Sequence, residues 1–512
     1  MNYQLVNARV FGKPKDQLFN ITITGNLISA IYPTSVSLET SESIDLEGAW
    51  VAPGFKDAHV HTTNTGVKLI GIDLSKCTSY EELESCVRAL PETREVVLGH
   101  GWDDSNWSRK ADNDIFARTN LKIYFSRIDA HSALASKNLT DMIPDISNYD
   151  GYHSSQPLRR DAHGVVREHA YASMSEQTRA SYISAAIEGF LSNGITEIHE
   201  MAGPRISSVF DAKHVSNLSS QTGIKSELWW GELNGHEIAV DLGATGCGGD
   251  LFIDGSFGSR TALLKNGYMD GTFGAKYISL QDATNHIIRG YEYAQPSSFH
   301  VIGDAAIEIA VQAFEDARTE LGQAQFHKMN HRLEHVEFLD ENLIKRIIDL
   351  NIVFSMQPQF SQEWAGDAGM YKERIGQDWS KLNPLRPILN FGGHIVFGSD
   401  SPVTQIDPWK SIFAATHMHN SDFSITNKSA FRSQTSGVNR SSSEFGVGAI
   451  ADLAIWDVDH WAMPQQDDGR NRWSSDARSF PKDFPDSRIS PECQMTIVDG
   501  KIVFSKLGPL HG

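Results

Sequence analysis

The first fifty residues alternate apolar and polar positions in short runs, YQLVNARVF, LFNITITGNLISAIYP and SIDLEGAWVAPGF, bounded by Gly, Pro and Asn. Their period of two and their β-branched residues predict strands rather than helices. The same texture returns near the other end in IADLAIWDV (450–458) and QMTIVDGKIVFS (494–505), on either side of a polar stretch from Gln465 to Pro491. Both ends are therefore expected to build one small β domain, since chain termini often lie close together.

The middle has a different rhythm. Apolar, strand-like runs close on polar residues and are followed by helical stretches: VAPGFKDAHVH (51–61), GITEIHE (194–200), IKSELWWGE (224–232), GDLFIDG (249–255), SFHVIGD (298–304), HRLEHVEF (331–338), NIVFSMQP (351–358) and HIVFGSD (394–400). From Glu200 to Asp400 there are six intervals of about 33 residues, close to the roughly 30 of a βα unit. Eight such strands predict an α/β fold, a (β/α)8 barrel. The first interval is the exception. His61 and Glu200 are 139 positions apart, too far for a loop, so an inserted subdomain of about 66–175 is expected there. Low-complexity tracts are confined to short clusters such as Ser441–Ser443.

Composition narrows the function. The 512 residues carry 64 acidic and 45 basic side chains, a formal net charge of −19 at pH 7. An acidic chain repels polyphosphate, which argues against nucleic acid and against anionic membrane surfaces. No run reaches the ~20 apolar residues of a spanning helix, and the N-terminus lacks a basic head followed by an apolar signal core. Cys77, Cys86, Cys247 and Cys493 are widely spaced and form no CxxC pair. A protein of the reducing cytoplasm is expected.

The 20 histidines carry the candidate chemistry. In a barrel of this kind the active site lies at the C-terminal ends of the strands. His59 and His61 close the first strand, and residues i and i+2 of a strand face one side, so both imidazoles can share an ion. An HxH alone is equally consistent with two surface or core histidines. However, His300 in the fifth strand, His335 in the sixth and Asp400 at the end of the eighth fall in register with it. Four imidazoles and a carboxylate suit a borderline cation such as Zn2+, and Asp400 is placed to act as general base. No GxSxG elbow, P-loop or GxGxxG fingerprint offers another chemistry.

The segments VAPGFKDAHVH, FHVIGDAAI, HRLEHVEF and VFGSDSPV resemble those of the amidohydrolase superfamily, in the amidohydrolase 3 or YtcJ-like branch that includes the N-substituted formamide deformylases. GHGWDDSNW, RIDAHSALAS, DAHGVVRE, IDGSFGSRTALL and IADLAIWDV are similar to signature segments of that branch, in its order, so the resemblance runs from about residue 45 to 505. It implies a metal-dependent barrel over 53–440, carrying the insertion, and a β-sandwich made of 1–52 and 441–512. It also implies that His59, His61, His300 and His335 are metal ligands and that Asp400 is the catalytic aspartate. His335 is expected to assist catalysis as well. One position departs from the branch. Relatives commonly place, four residues before the DGS motif, a lysine whose carbamate bridges two metals, and this chain has Asp250 there. A shorter Asp250 leaves open a direct carboxylate ligand, a single metal, or a strand-end carboxylate with no metal role.

Trp102, Asp103 and His131 match motifs of the insertion that would roof a pocket, or else pack as a corner. Arg260 could hold a substrate carboxylate or carbonyl, or pair with Asp254 or Asp304 as scaffolding. Glu334 could orient a metal-bound imidazole, and His199 and Glu200 could supplement the site. Together these imply hydrolysis of a non-peptide carbon–nitrogen bond, an N-formyl or N-acyl amide of a small molecule, by water activated on one or two Zn2+ ions. A heterocycle deaminase and a barrel that has kept binding but lost catalysis are the alternatives. A homodimer is the default oligomeric expectation.

Overall fold

The computed structural model describes residues 2–14, 17–36, 42–128, 132–204, 206–437, 445–457 and 490–507. His131, Ser441–Ser443, the expected 440/441 boundary and most of the stretch from Gln465 to Pro491 lie outside them. The chain divides into two compact units, one of Met1–Val60, Ile187–Gly203 and Ser219–Gly512, the other of His61–Ala186 and Pro204–Leu218. The second unit contains the expected insertion of 66–175 and extends beyond it at both ends.

In the first unit eight parallel strands carry the residues of interest: β1 (Phe55–Val60), β2 (Ile195–Ala202), β3 (Lys225–Trp230), β4 (Gly246–Cys247), β5 (Ser298–Val301), β6 (Arg332–His335), β7 (Val353–Met356) and β8 (Ile395–Phe397). They form two four-stranded sheets, β1-β2-β3-β4 and β5-β6-β7-β8. Parallel bridges span both seams, Cys247 to Ser297 and Phe252 to His300 on one side, Val60 to Ser401 on the other. Every residue of β5 to β8 is buried, as expected of parallel strands covered on both faces. The intervening helices supply that cover. Asp304–Leu321 buries Ala306, Ile307, Ala310, Val311, Phe314 and Ala317 at helical spacing, and Glu341–Asp349 buries Leu343, Ile344 and Ile347 behind an Asp340 cap that accepts the Leu343 N–H.

The fourth strand differs from the sequence expectation of 249–255. It is the short Gly246–Cys247 pair beside Trp229 and Trp230, and the run after it keeps only the Phe252–His300 bridge. Two glycines are the reason. Gly248 and Gly249 have φ of 148° and 82°, outside strand geometry, so the chain turns before Asp250. Gly246 itself admits no side chain, because a Cβ would stand 2.4 Å from the Trp229 ring.

Both ends of the chain join one eight-stranded sheet. Leu453–Trp456 pairs antiparallel with Trp50–Pro53 and with Cys493–Val498, and Asn2–Val10 pairs with Phe19–Thr24. Tyr3, Leu5, Ile21, Ile23, Val51, Leu453, Ile455, Met495 and Ile497 share its core. The Tyr3 hydroxyl donates to Gly500 O across 497 residues of sequence.

The second unit has a five-stranded mixed sheet centred on Val96–Trp102 and Lys122–Arg127. Arg179 forms a buried ion pair with Asp211 there. No helix among the described residues is long and apolar enough to cross a membrane.

The seam between β8 and β1 is close-packed: a Cβ at Gly398 would lie 2.6 Å from both N and Cβ of His59. Backbone atoms cannot swing aside, so Gly398→Ala is expected to cost about 1–3 kcal/mol by urea denaturation. An unchanged midpoint would refute this packing.

Candidate metal centre

The first unit gathers His59, Asp250, His300, His335 and Asp400 from five separate segments. Asp250 Oδ1 is their meeting point, 3.5 Å from His59 Nε2, 3.3 Å from His300 Nδ1 and 3.5 Å from His335 Nε2. Asp400 Oδ1 lies 3.5 Å from the same His59 nitrogen. The ligand atoms of His59, His335 and Asp400, and those of Asp250, His300 and His335, lie within 4.8 Å of one another, and all five residues are buried. Asp400 N donates to His59 O at 2.8 Å, which ties the catalytic-type carboxylate to the first histidine through the backbone.

The far side of each ring decides its tautomer. His59 Nδ1 faces Glu334 Oε2 at 2.9 Å, and His335 Nδ1 faces Gln357 Oε1 at 2.9 Å. His300 Nε2 faces Gly255 O at 3.3 Å. Those three partners only accept, so each of these nitrogens carries a proton, and in the neutral ring the opposite nitrogen offers its lone pair on the Asp250 side. Three lone pairs around a carboxylate oxygen repel unless a positive charge sits among them. The donor set thus fits a divalent cation, held by neutral imidazoles and carboxylates.

Protonation supplies that charge in the metal-free protein. Burial works against a charged ring, but Asp250 and Asp400 outweigh it and hold His59 well above the ordinary histidine value. Burial likewise works to raise Asp250, and His59, His300 and His335 hold it well below the carboxylate range. His300 is lowered by burial and by His335. Burial pushes Asp254 up to about 7 in spite of the N–H groups of Gly303, Leu263 and Ile302 that it accepts.

The backbone is unusual at the same points. His335, Val336 and Asp400 have φ of 67°, 41° and 52°. A β-branched Val336 at positive φ is a costly conformation, and such residues cluster at functional sites.

The other expected residues divide between the two units. His61 follows β1 directly, opens the second unit and stands at the N-terminus of helix Thr62–Ile70. Trp102 is buried in an apolar cluster of the second unit, its indole N–H donated to Phe125 O at 2.8 Å. Asp103 pairs with Arg127. Arg260 pairs with Asp270 at 3.1 Å, not with Asp254 or Asp304, because Asp254 is taken up by backbone N–H groups. His199 bonds Glu197 and Arg332, and β2 continues past Glu200 to Ala202. Sequence reading did not anticipate Gln357, Arg332 or Ser298, whose hydroxyl donates to Glu334 Oε1 at 2.7 Å. Gln357 alone left a signal, as the polar residue that follows the β7 run.

The model of the amidohydrolase family matches residues 42–504. YtcJ of Bacillus subtilis, whose name assigns it to the amidohydrolases, is 26% identical over 422 residues, covering 73% of this chain and 74% of its own. An N-substituted formamide deformylase of Arthrobacter pascens is 25% identical over 142 residues, 28% of this chain and 25% of its own. Among solved structures, an uncharacterized metal-dependent hydrolase from Pyrococcus furiosus superposes with a TM-score of 0.74 at 23% identity, covering 90% of this chain and 99% of that one. The fold is shared with it.

Because His59 is held protonated near neutrality, a cation must displace its proton. Calorimetric titration of Zn2+ into metal-stripped protein, in buffers of different ionisation enthalpy, should show proton release at pH 7 and affinity that rises with pH. Proton-neutral binding would contradict a protonated His59 in the metal-free protein.

Proposed function

Since the chain belongs to the amidohydrolase family, in its YtcJ-like branch, we propose that it is a Zn2+-dependent hydrolase of a non-peptide carbon–nitrogen bond, the N-formyl or N-acyl amide of a small molecule. The observation that carries this reading is the convergence of three imidazole nitrogens on Asp250 Oδ1, with Asp400 beside them. We read the eight parallel strands as one closed (β/α)8 barrel and the terminal sheet as a β-sandwich. All four cysteines are free thiols, although Cys77 and Cys86 stand 3.7 Å apart, and this supports our assignment to the reducing cytoplasm.

His59, His300, His335, Asp250 and Asp400 would hold the cation, with His61 two residues along the chain from His59. One or two ions are compatible with the set, and Asp250 takes the place of the lysine that relatives carry. Such a cation supplies Lewis-acid polarisation of the scissile carbonyl and acidification of a water. Asp400 accepts the proton of the attacking water and returns it to the departing nitrogen, so the amine leaves neutral. His335, fixed by Gln357, stands beside the reacting carbonyl as well as in the ligand set. Asp103 and Arg260, both partly exposed, together with His131 and Trp102, are our candidates for substrate contacts.

The alternative chemistry, attack on the C=N carbon of an amino-heterocycle, uses the same donors. Asp250 in place of lysine is what recommends it. Ammonia release from amino-heterocycles, in place of carboxylate or formate release from N-acyl amines, would favour it.

Chelation is expected to abolish turnover and Zn2+ to restore it. Asp400→Asn should lower kcat by about 10²–10⁴-fold, the range of a lost general base, while metal content by elemental analysis stays near wild type. Full activity in metal-free protein, or an unaltered rate in the variant, would refute the mechanism.

A further inference from the structure

Behind the ligand set, charged and polar side chains of β1, β2, β6 and β7 form an unbroken column. It begins at Lys56, 2.8 Å from Glu197 Oε2. Glu197 Oε1 lies 3.1 Å from His199 Nε2, and His199 Nδ1 lies 2.9 Å from Arg332 Nη1. The Arg332 guanidinium meets both Glu334 oxygens, at 2.6 and 2.8 Å, and Glu334 Oε2 receives His59 Nδ1. His199, Arg332, Glu334 and His59 are all fully buried.

The histidine protons in this column each have one place. A guanidinium only donates, so His199 Nδ1 must accept from Arg332 and its Nε2–H must donate to Glu197. Arg332 Nη2, which also faces Glu334 Oε2, lies 2.6 Å from Ala58 O and 2.7 Å from Ser355 Oγ and shares its two hydrogens among the three, and Trp229 lies 5.2 Å from the guanidinium centre. One buried side chain thus ties the strands of both sheets together. A proton path is excluded, because arginine does not release its proton in proteins. What the column can do is hold a geometry.

We propose that Arg332, oriented by His199 and Glu197, is a positioning residue of the metal centre: it locks Glu334 against His59 Nδ1–H, so that His59 Nε2 is turned to the cation. The inference rests on the metal-centre reading above. Among the described residues Arg332 makes no hydrogen bond to a ligand side chain, so its influence passes through Glu334 and through Ala58 O, the carbonyl that precedes His59. Second-layer partners of metal-bound histidines act this way, and their removal commonly costs 10–100-fold in metal affinity.

The test uses full-length protein, stripped and reloaded with Co2+, whose visible absorption reports ligand geometry. Three quantities are read: the Co2+ dissociation constant, the Co2+ spectrum, and the melting temperature of the metal-free protein. R332M/E334Q removes both buried charges together, so neither is left unpaired. Roughly 10–100-fold weaker Co2+ binding with an altered spectrum is expected. E197Q, which touches no ligand, keeps its bond to His199 through an amide oxygen but loses its charge, and a smaller weakening with a shifted spectrum is expected. Wild-type affinity and spectrum in both variants would overturn the proposal. So would affinity losses that follow only a lowered melting temperature with the spectrum unmoved, since that marks a purely structural role. If R332M/E334Q does not fold, E197Q decides alone by the same criteria. Failure of the wild type to bind Co2+ would instead sink the metal-centre reading itself.

Discussion

One carboxylate oxygen, Asp250 Oδ1, stands within 3.5 Å of three imidazole nitrogens, and the surroundings follow from that crowding. Buried charges and lone pairs are tolerated only when paired. The pairing here is completed on the outer side of each ring, by Glu334, Gln357 and Gly255 O, which leaves the inner nitrogens facing one another. A cation, or protons in its absence, is the remaining partner. Because protons and a cation compete for the same nitrogens, metal binding and pH are inseparable in this centre.

The backbone bears part of the cost. Positive φ at His335, Val336 and Asp400 amounts to about 1–3 kcal/mol per residue, and it is sustained because β6 and β8 are buried over their whole length. At the opposite seam the chain uses glycine instead. Gly248 and Gly249 take conformations that a side chain would resist, and Asp250 follows immediately. Strain and glycine achieve the same end, aiming a strand-end carboxylate or imidazole inward rather than along the strand. Arg332 then joins β1, β2, β6 and β7 from behind through Ala58, His199, Glu334 and Ser355.

Legibility varied residue by residue. The parallel strands were readable because strands covered on both faces must be continuously apolar: six of the eight runs contain the strand expected, and a seventh, 194–200, falls two residues short of its end at Ala202. The fourth, GDLFIDG, was misleading: its apolar residues pack after a turn that the preceding glycines impose. His300, His335 and Asp400 were readable from their register with the βα repeat. Arg260 was not, since nothing local distinguishes Asp270 from Asp254 as its partner. Trp102 beside Asp103 was open to two readings, and only the fold shows its indole buried and bonded to Phe125 O. Arg332 left no signal at all, because a lone basic residue in an apolar run has meaning only through what lies across the sheet.

The sequence by itself determined the α/β repeat, the β-rich ends, the acidic charge and the ligand-type residues at the strand ends. These are local properties, written in periodicity and composition within a few residues. The tertiary structure alone decided which of those residues meet and which tautomers they hold. His59 finds Glu334 across 275 residues, His300 finds Asp250 across 50, and Arg332 finds His199 across 133. Such contacts depend on how whole strands come to lie beside one another, and no local pattern encodes them.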